Sequence, residues 1–137
     1  MNDYIKIMLD SCGELEISPK GKSMCPYLKE KRDKVIVVPC EKGINKYDIV
    51  LYKMNGIYVL HRVVGTDKNR YIICGDNNSA HEYINKEKII GIVSEIHRNN
   101  RVMYPDDKLS VLWIHLWYKL GLKRYVLRIK KLFSSNK

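Results

Sequence analysis

Three places in the sequence hold polar side chains that could perform chemistry. Ser23 lies in the turn-forming stretch 21–26, and His61 follows the apolar pair Val59-Leu60 within a predicted strand. The third is the turn 75–78, Gly-Asp-Asn-Asn. A serine hydroxyl becomes a good nucleophile only when a base takes its proton, and imidazole, with an ordinary pKa of about 6.5, can do so near neutrality. A carboxylate that orients the imidazole would complete the arrangement.

Each of these residues also has a simpler interpretation when it is considered alone. A serine among glycine and proline is typical of a turn, and a single histidine within a strand is usually a packing residue. The turn 75–78 is ordinary in composition. Chemistry is therefore predicted only if the fold brings these residues together.

Short strands are predicted to position them. Six runs rich in β-branched and aromatic residues are bounded by Gly, Pro, Asn or Asp, namely 35–38, 48–52, 57–60, 62–64, 71–74 and 89–93. Asn55-Gly56 between two of these runs predicts a type I′ hairpin. Residues 15–17 and 102–104 could extend the sheet. The pattern predicts a mainly β domain over residues 1–104.

Residues 105–137 are predicted to form a separate segment of amphipathic α-helices after the linker Tyr104-Pro-Asp-Asp107. At 100° per residue, one apolar face comprises Leu109, Leu112, Trp113, Leu116, Trp117 and Leu120. A second apolar face comprises Leu122, Tyr125, Val126, Ile129, Leu132 and Phe133. The two faces would point in nearly opposite directions in one continuous helix, so we expect a bend or break at Gly121.

The positive charge of the chain is concentrated in this helical segment. The net charge is +10, and the stretch from Lys108 to Lys137 has no Asp or Glu but eight basic residues: Lys108, Lys119, Lys123, Arg124, Arg128, Lys130, Lys131 and Lys137. Basic residues opposite aliphatic and aromatic ones favour an anionic membrane surface as the partner of the 109–133 helices, with the two tryptophans at the same depth. Packing on the body or on a second copy of the chain is the alternative, and nucleic acid is the least favoured partner.

Composition excludes several other classes of protein. The longest apolar run, 109–118, is too short to span a membrane, and the first ten residues lack the pattern of a signal peptide. The four cysteines, Cys12, Cys25, Cys40 and Cys74, have no metal-ligand spacing. We therefore expect free thiols, no metal site, no cofactor, and a cytoplasmic or peripheral-membrane location.

Taken in order, six short boxes resemble those of type I signal peptidases and the related self-cleaving repressor proteases. They cover about residues 18–95 and comprise Gly-x-Ser-Met-x-Pro-x-Leu, Asp33-Lys-Val-Ile-Val, Tyr47-Asp-Ile-Val-Leu-Tyr52, Val59-Leu-His-Arg-Val-Val64, Gly75-Asp-Asn-Asn78 and Ile90-Gly-Ile-Val93. The resemblance implies a coiled antiparallel β-sheet domain of the signal-peptidase type and a serine endopeptidase activity.

The same resemblance implies a role for each candidate residue. Most of these relatives use a lysine base, but the corresponding position here is His61, as in the endoplasmic-reticulum-type and sporulation-type branch. Ser23 would then be the nucleophile, His61 the general base, and Asp76 the group that orients the ring, with Glu82 as the second candidate. Gly21 stands where signal peptidases commonly have a hydroxyl, so the oxyanion hole would rely on backbone N–H groups, including that of Ser23.

The implied substrate is a signal or leader peptide of a preprotein, bound as an added strand and cut after a small residue. No spanning segment precedes Ser23, so membrane contact would have to come from the 109–133 helices. Cys12-Gly13 resembles a self-cleavage site but lies too close to Ser23 to fold back onto it. The alternative function is a non-catalytic family member that binds a membrane surface or nucleic acid through its basic segment.

Overall fold

The computed structural model describes residues 4–135. Strand residues (37%) outnumber helical residues (28%), which confirms the prediction of a mainly β fold. One antiparallel sheet has eight strands: β1 (Leu15–Ile17), β2 (Asp33–Val38), β3 (Ile49–Met54), β4 (Ile57–Asp67), β5 (Arg70–Cys74), β6 (Glu82–Asn85), β7 (Ile89–Arg98) and β8 (Arg101–Met103). Their order is β1-β2-β7-β3-β4-β5-β6, with β8 paired to β7.

The hairpin between β3 and β4 sets the register of the site. Asn55 and Gly56 both have positive φ, 51° and 80°, which confirms the predicted type I′ turn. A two-residue turn of this kind fixes the pairing, so that Val50 faces His61 and Tyr52 faces Val59. The predicted runs 57–60 and 62–64 form one strand, because His61 between them is buried in the sheet together with Arg62 rather than placed in a turn.

The first helix was not predicted from the sequence, and it packs on the sheet through one apolar cluster. This helix, α1 (Tyr4–Cys12), buries Leu9 against β7. A Cβ on Gly91 would lie 2.9 Å from Leu9 Cδ2 and 2.5 Å from Val37 Cγ1, so only glycine lets the helix pack this closely. Gly13, with φ 81°, ends α1 by donating its N–H to Leu9 O at 2.8 Å.

The helical segment is bent at Gly121, as predicted. Helix α2 (Lys108–Ile114) begins at Asp107, whose side chain accepts a hydrogen bond from the Ser110 N–H, and continues as a π-helical turn (His115–Lys119). Gly121 has φ 78°, and α3 (Leu122–Ser135) follows it. The predicted break is therefore a change of helix at a left-handed glycine.

The first predicted apolar face is divided in two by the structure. Trp113 and Trp117 pack on the body, with Trp117 buried, whereas four leucines of the same face are exposed: Leu109, Leu112, Leu116 and Leu120. The indole N–H groups find acceptors on Asp76, which explains why the tryptophans turn inward. The two tryptophans therefore pack toward the body, and the four leucines of the same predicted face point outward.

Between residues 4 and 135, no helix has both the length and the apolar character that crossing a membrane requires.

Candidate functional site

Ser23 and His61, which are 38 positions apart in the sequence, line one open cavity of about 620 Å³. One wall is the end of β1 with the residues that follow it, from Glu16 to Gly21. The opposite wall is the outer half of β4, from Ile57 to His61. The floor is apolar: Met24, Leu28 and Leu51.

The loop 75–78, which follows β5, holds the Ser23 turn in place. The Asn77 N–H donates to Ser23 O at 2.8 Å, and the Asn77 side-chain amide donates to Lys22 O at 3.0 Å. Gly75 lies so close that a Cβ there would be 2.6 Å from Ser23 O. Met24, next in the chain, is buried and accepts the Asp76 N–H on its sulfur. The nucleophile candidate is thus backed by a second, tightly packed loop.

A tyrosine connects His61 to Glu82. His61 Nδ1 lies 2.9 Å from the Tyr52 hydroxyl, and that hydroxyl donates to Glu82 Oε2 at 2.6 Å. A phenol has one proton, so a hydroxyl that donates to the carboxylate must accept from the ring. Nδ1 is therefore the protonated nitrogen, and Nε2 has the free lone pair that a general base needs.

Burial keeps the imidazole neutral. His61 is buried, and desolvation lowers its pKa below the ordinary 6.5, against the opposing effect of the Glu82 and Asp76 carboxylates and with a smaller lowering by Lys123. Burial and the neighbouring Glu82 also raise the pKa of Tyr52, so the connecting hydroxyl keeps its proton. At neutral pH both the imidazole of His61 and the phenol of Tyr52 are therefore uncharged.

Asp76 has a different position from the one implied by the resemblance. Its carboxylate forms two hydrogen bonds with Arg62, at 2.8 and 2.9 Å, and also accepts from the Trp113 indole at 3.1 Å and from the Tyr118 hydroxyl. Burial alone would raise the pKa of Asp76, but the Arg62 guanidinium and the other donors hold it below the ordinary value. Asp76 therefore does not hydrogen-bond His61. The reason is that a fully buried carboxylate needs a fully buried cation, and Arg62 supplies it.

Glu82, the second candidate, reaches His61 only through Tyr52. Tyr52 was not among the site residues predicted from the sequence, although the register of the predicted hairpin places it next to His61. With Asn55-Gly56 as the turn, Val50 faces His61, and the residue two positions along the same face, Tyr52, becomes its diagonal neighbour.

Within residues 4–135, no direct hydrogen bond joins the Ser23 hydroxyl to His61, and the Ser23 N–H has no hydrogen-bond partner. The Gly21 N–H, by contrast, donates to Glu30 Oε2 at 3.1 Å. Of the nearby backbone donors, that of Ser23 is thus free to meet an oxyanion and that of Gly21 is engaged.

None of the four cysteines lines the cavity that Ser23 and His61 share. All four are free thiols, with Cys74 buried and Cys12 exposed. In the described part of the chain no three His, Cys, Asp or Glu side chains are grouped as metal ligands.

No known protein-family model and no curated protein matches the chain.

Proposed function

We propose that this protein is a serine endopeptidase in which Ser23 is the nucleophile and His61 the general base. The observation that supports it most strongly is the hydrogen-bonded series from Glu82 through Tyr52 to His61, which leaves Nε2 unprotonated in a cavity that Ser23 also lines. An ordinary packing histidine does not need a fixed tautomer, a lowered pKa and an open cavity at once.

In the proposed reaction, Ser23 Oγ attacks the carbonyl carbon of the substrate while its proton passes to His61 Nε2. The Ser23 N–H donates to the resulting oxyanion. Collapse of this intermediate breaks the C–N bond, and the imidazolium returns the proton to the leaving amine. Water, deprotonated by the same nitrogen, then hydrolyses the acyl-enzyme. Tyr52 and Glu82 are positioning residues that stabilise the imidazolium.

The substrate we propose is an extended signal or leader peptide of a preprotein, cut after a small residue. Strand β4 pairs with β5 only from Arg62 onward, so among the described strands its outer half is paired on one edge alone. That half forms a cavity wall, opposite the residues after β1. An extended peptide could add to either wall through main-chain hydrogen bonds. On this proposal the sheet is coiled as in signal peptidases, since β1 and β4 are separated in strand order yet border one cavity.

The test is hydrolysis of extended peptides that contain a small residue before the cut, followed by mass spectrometry. We expect Ser23→Ala to abolish cleavage and His61→Gln to lower kcat/KM by about 10²–10⁴-fold, the usual contribution of a general base. The matched control is Ser18→Ala, which removes another hydroxyl from the same cavity and should leave the rate within a few-fold. Cleavage that persists in a correctly folded Ser23→Ala variant contradicts the proposal.

A second candidate is a non-catalytic binding module, and it is favoured by the missing hydrogen bond between Ser23 and His61. Such bonds are often long in unliganded sites and tighten when substrate binds. The two candidates are distinguished by reactivity. The peptidase should be labelled at Ser23 by a phosphonate serine probe, whereas the binding module should be inert to the probe while still binding anionic vesicles or nucleic acid through its basic segment.

A further inference from the structure

Helix α3 presents three different faces. Lys123, Val126, Leu127 and Lys130 lie toward the body, where Lys123 Nζ donates to Gly75 O at 2.9 Å and Lys130 Nζ to Asn77 Oδ1 at 2.7 Å. A second face is apolar and exposed: Leu122, Tyr125, Ile129, Leu132 and Phe133. Tyr125 and Phe133 are the most exposed of these five side chains, at 67% and 72%.

The third face of α3 is cationic, overlaps the body-facing side at Lys123, and borders a cavity. This cavity, of about 790 Å³, lies between α3 and the body and is lined by four basic side chains of the helix: Lys123, Arg124, Arg128 and Lys131. His81 and Ser79 line it from the loop before β6, and none of the lining residues is acidic. Four basic side chains around one space without an acidic residue are suited to binding a phosphate group.

The charge of α3 decides which partner covers the stripe. A second copy of the chain would bring the same basic residues, with no Asp or Glu after Asp107 to offset them, and like charges in contact oppose association. A nucleic acid backbone would satisfy the cations but leave the aromatic and aliphatic stripe in water. An anionic bilayer satisfies both, because its headgroups are negative and its acyl region accepts apolar side chains.

We propose that α3 docks on an anionic membrane surface, with its apolar stripe (Leu122, Tyr125, Ile129, Leu132 and Phe133) in the interface and a lipid phosphate in the basic cavity. Compared with the sequence pattern alone, the structure removes Trp113 and Trp117 from the proposed docking face, since both indoles donate hydrogen bonds to Asp76. The proposal does not depend on the peptidase activity.

The experiment is co-sedimentation of the full chain with vesicles of phosphatidylglycerol and phosphatidylcholine in equal parts, and with phosphatidylcholine alone. We expect binding to the mixed vesicles that falls as salt rises, and little binding to the neutral ones. Removing three cations of the cavity should weaken binding about 100-fold, at about one factor of five per charge, in the variant Arg124→Gln/Arg128→Gln/Lys131→Gln.

A second variant tests the apolar stripe, and a third controls for net charge. Tyr125→Ser/Ile129→Ser/Phe133→Ser should weaken binding at least about 10-fold, because all three side chains are exposed and their loss removes insertion without removing charge. The control removes three exposed lysines far along the chain from α3, Lys42→Gln/Lys68→Gln/Lys88→Gln, and should bind within a few-fold of the parent. Circular dichroism verifies that each variant is folded.

Three results would overturn the proposal. One is equal binding of the parent and the cavity variant to mixed vesicles, and another is as large a loss in the lysine control. The third is a dimer of the parent chain that the stripe variant converts to monomer, which would assign the stripe to a second copy. Because Ser23→Ala should bind vesicles like the parent, failure of docking and failure of the peptidase proposal are distinguishable.

Discussion

In the candidate site, the Glu82 carboxylate acts on His61 through the Tyr52 hydroxyl rather than by direct contact. A carboxylate in direct contact would stabilise the imidazolium strongly and raise the pKa of the histidine. With a phenol between them, Glu82 still exerts an attraction across Tyr52, but burial outweighs it and the pKa of His61 falls. The base therefore stays deprotonated in weak acid, while its tautomer is still fixed.

The first prediction concerns this connecting hydroxyl. Tyr52→Phe keeps the ring but removes the acceptor for the Nδ1–H of His61, so kcat/KM should fall by at least about 10-fold. The loss should not exceed about 10²–10⁴-fold, which is the usual contribution of a general base. In the parent the acid limb of the kcat/KM profile should lie below pH 6.5, since the pKa of His61 is lowered. The variant's limb should move further toward acid, because the imidazolium loses a stabilising partner.

Tyr83→Phe is the matched control for this change. Tyr83 follows Glu82, is 52% exposed, and should give an unaltered profile when its hydroxyl is removed. A Tyr52→Phe enzyme with a parental acid limb and a parental rate would show that the hydroxyl serves packing alone.

At the scale of the elements, the sequence predicted most of the strands but missed one edge strand and the first helix. β-branched runs with turn signals identified most strands because half-buried strands need alternating apolar residues. β6 was missed because Glu82–Asn85 contains only two apolar residues, and it pairs with β5 at the edge of the sheet. Helix α1 was missed because one buried residue, Leu9, gives too weak a periodic pattern.

The candidate site, like the fold, was predicted only in part from the sequence. The order of the boxes brought Ser23 and His61 to attention, and the structure does bring them to one cavity. The sequence could not decide between Asp76 and Glu82, because the choice depends on which carboxylate the folded sheet brings toward the His61 ring. Asp76 lies in the loop after β5, and Glu82 is the first residue of β6. It also depends on Arg62, a charged residue within a strand whose burial no local pattern indicates.

The second prediction concerns the contact between the two loops of the site. Gly75→Ala should lower kcat/KM at least about 10-fold, because the added Cβ would lie 2.6 Å from the backbone oxygen of Ser23 and 2.8 Å from Asn78 Nδ2. A backbone atom cannot move without the turn that holds the nucleophile, and small displacements of reacting groups are costly. Steady-state kinetics with a leader-like peptide measures the effect.

Gly65→Ala is the control for Gly75→Ala. Its Cβ would meet Ile72 at 3.6 Å, an ordinary van der Waals contact, and neither glycine has positive φ. Full activity should therefore remain in Gly65→Ala. Equal kinetics in the two variants would contradict the idea that the 75–78 loop positions Ser23.

At the scale of the whole molecule, Asp76 joins the two segments that the sequence predicted, 1–104 and 105–137. Its side chain binds Arg62 of β4, and it also accepts hydrogen bonds from Trp113 of α2 and Tyr118 of the π-helical turn. Its backbone oxygen accepts from the Trp117 indole at 2.8 Å. The helical segment is therefore anchored to the loop that also backs Ser23, and the chain packs across the predicted boundary.

The third prediction tests this anchor. Asp76→Asn should lower the free energy of unfolding by about 3–5 kcal/mol, because it leaves the Arg62 guanidinium buried without a counter-charge. Asp67→Asn, which breaks the exposed pair with Arg70, should cost about 0–1 kcal/mol. Urea unfolding followed by tryptophan fluorescence measures both, since Trp113 and Trp117 contact Asp76.

The pKa of Asp76 is lowered from 3.8, so the unfolded chain takes up its proton first on acidification. The parent should therefore lose stability as pH falls below 3.8, and Asp76→Asn should lose less over that range. A parental pH dependence in Asp76→Asn, or equal losses from the two substitutions at neutral pH, would show that the buried pair does not hold the segments together.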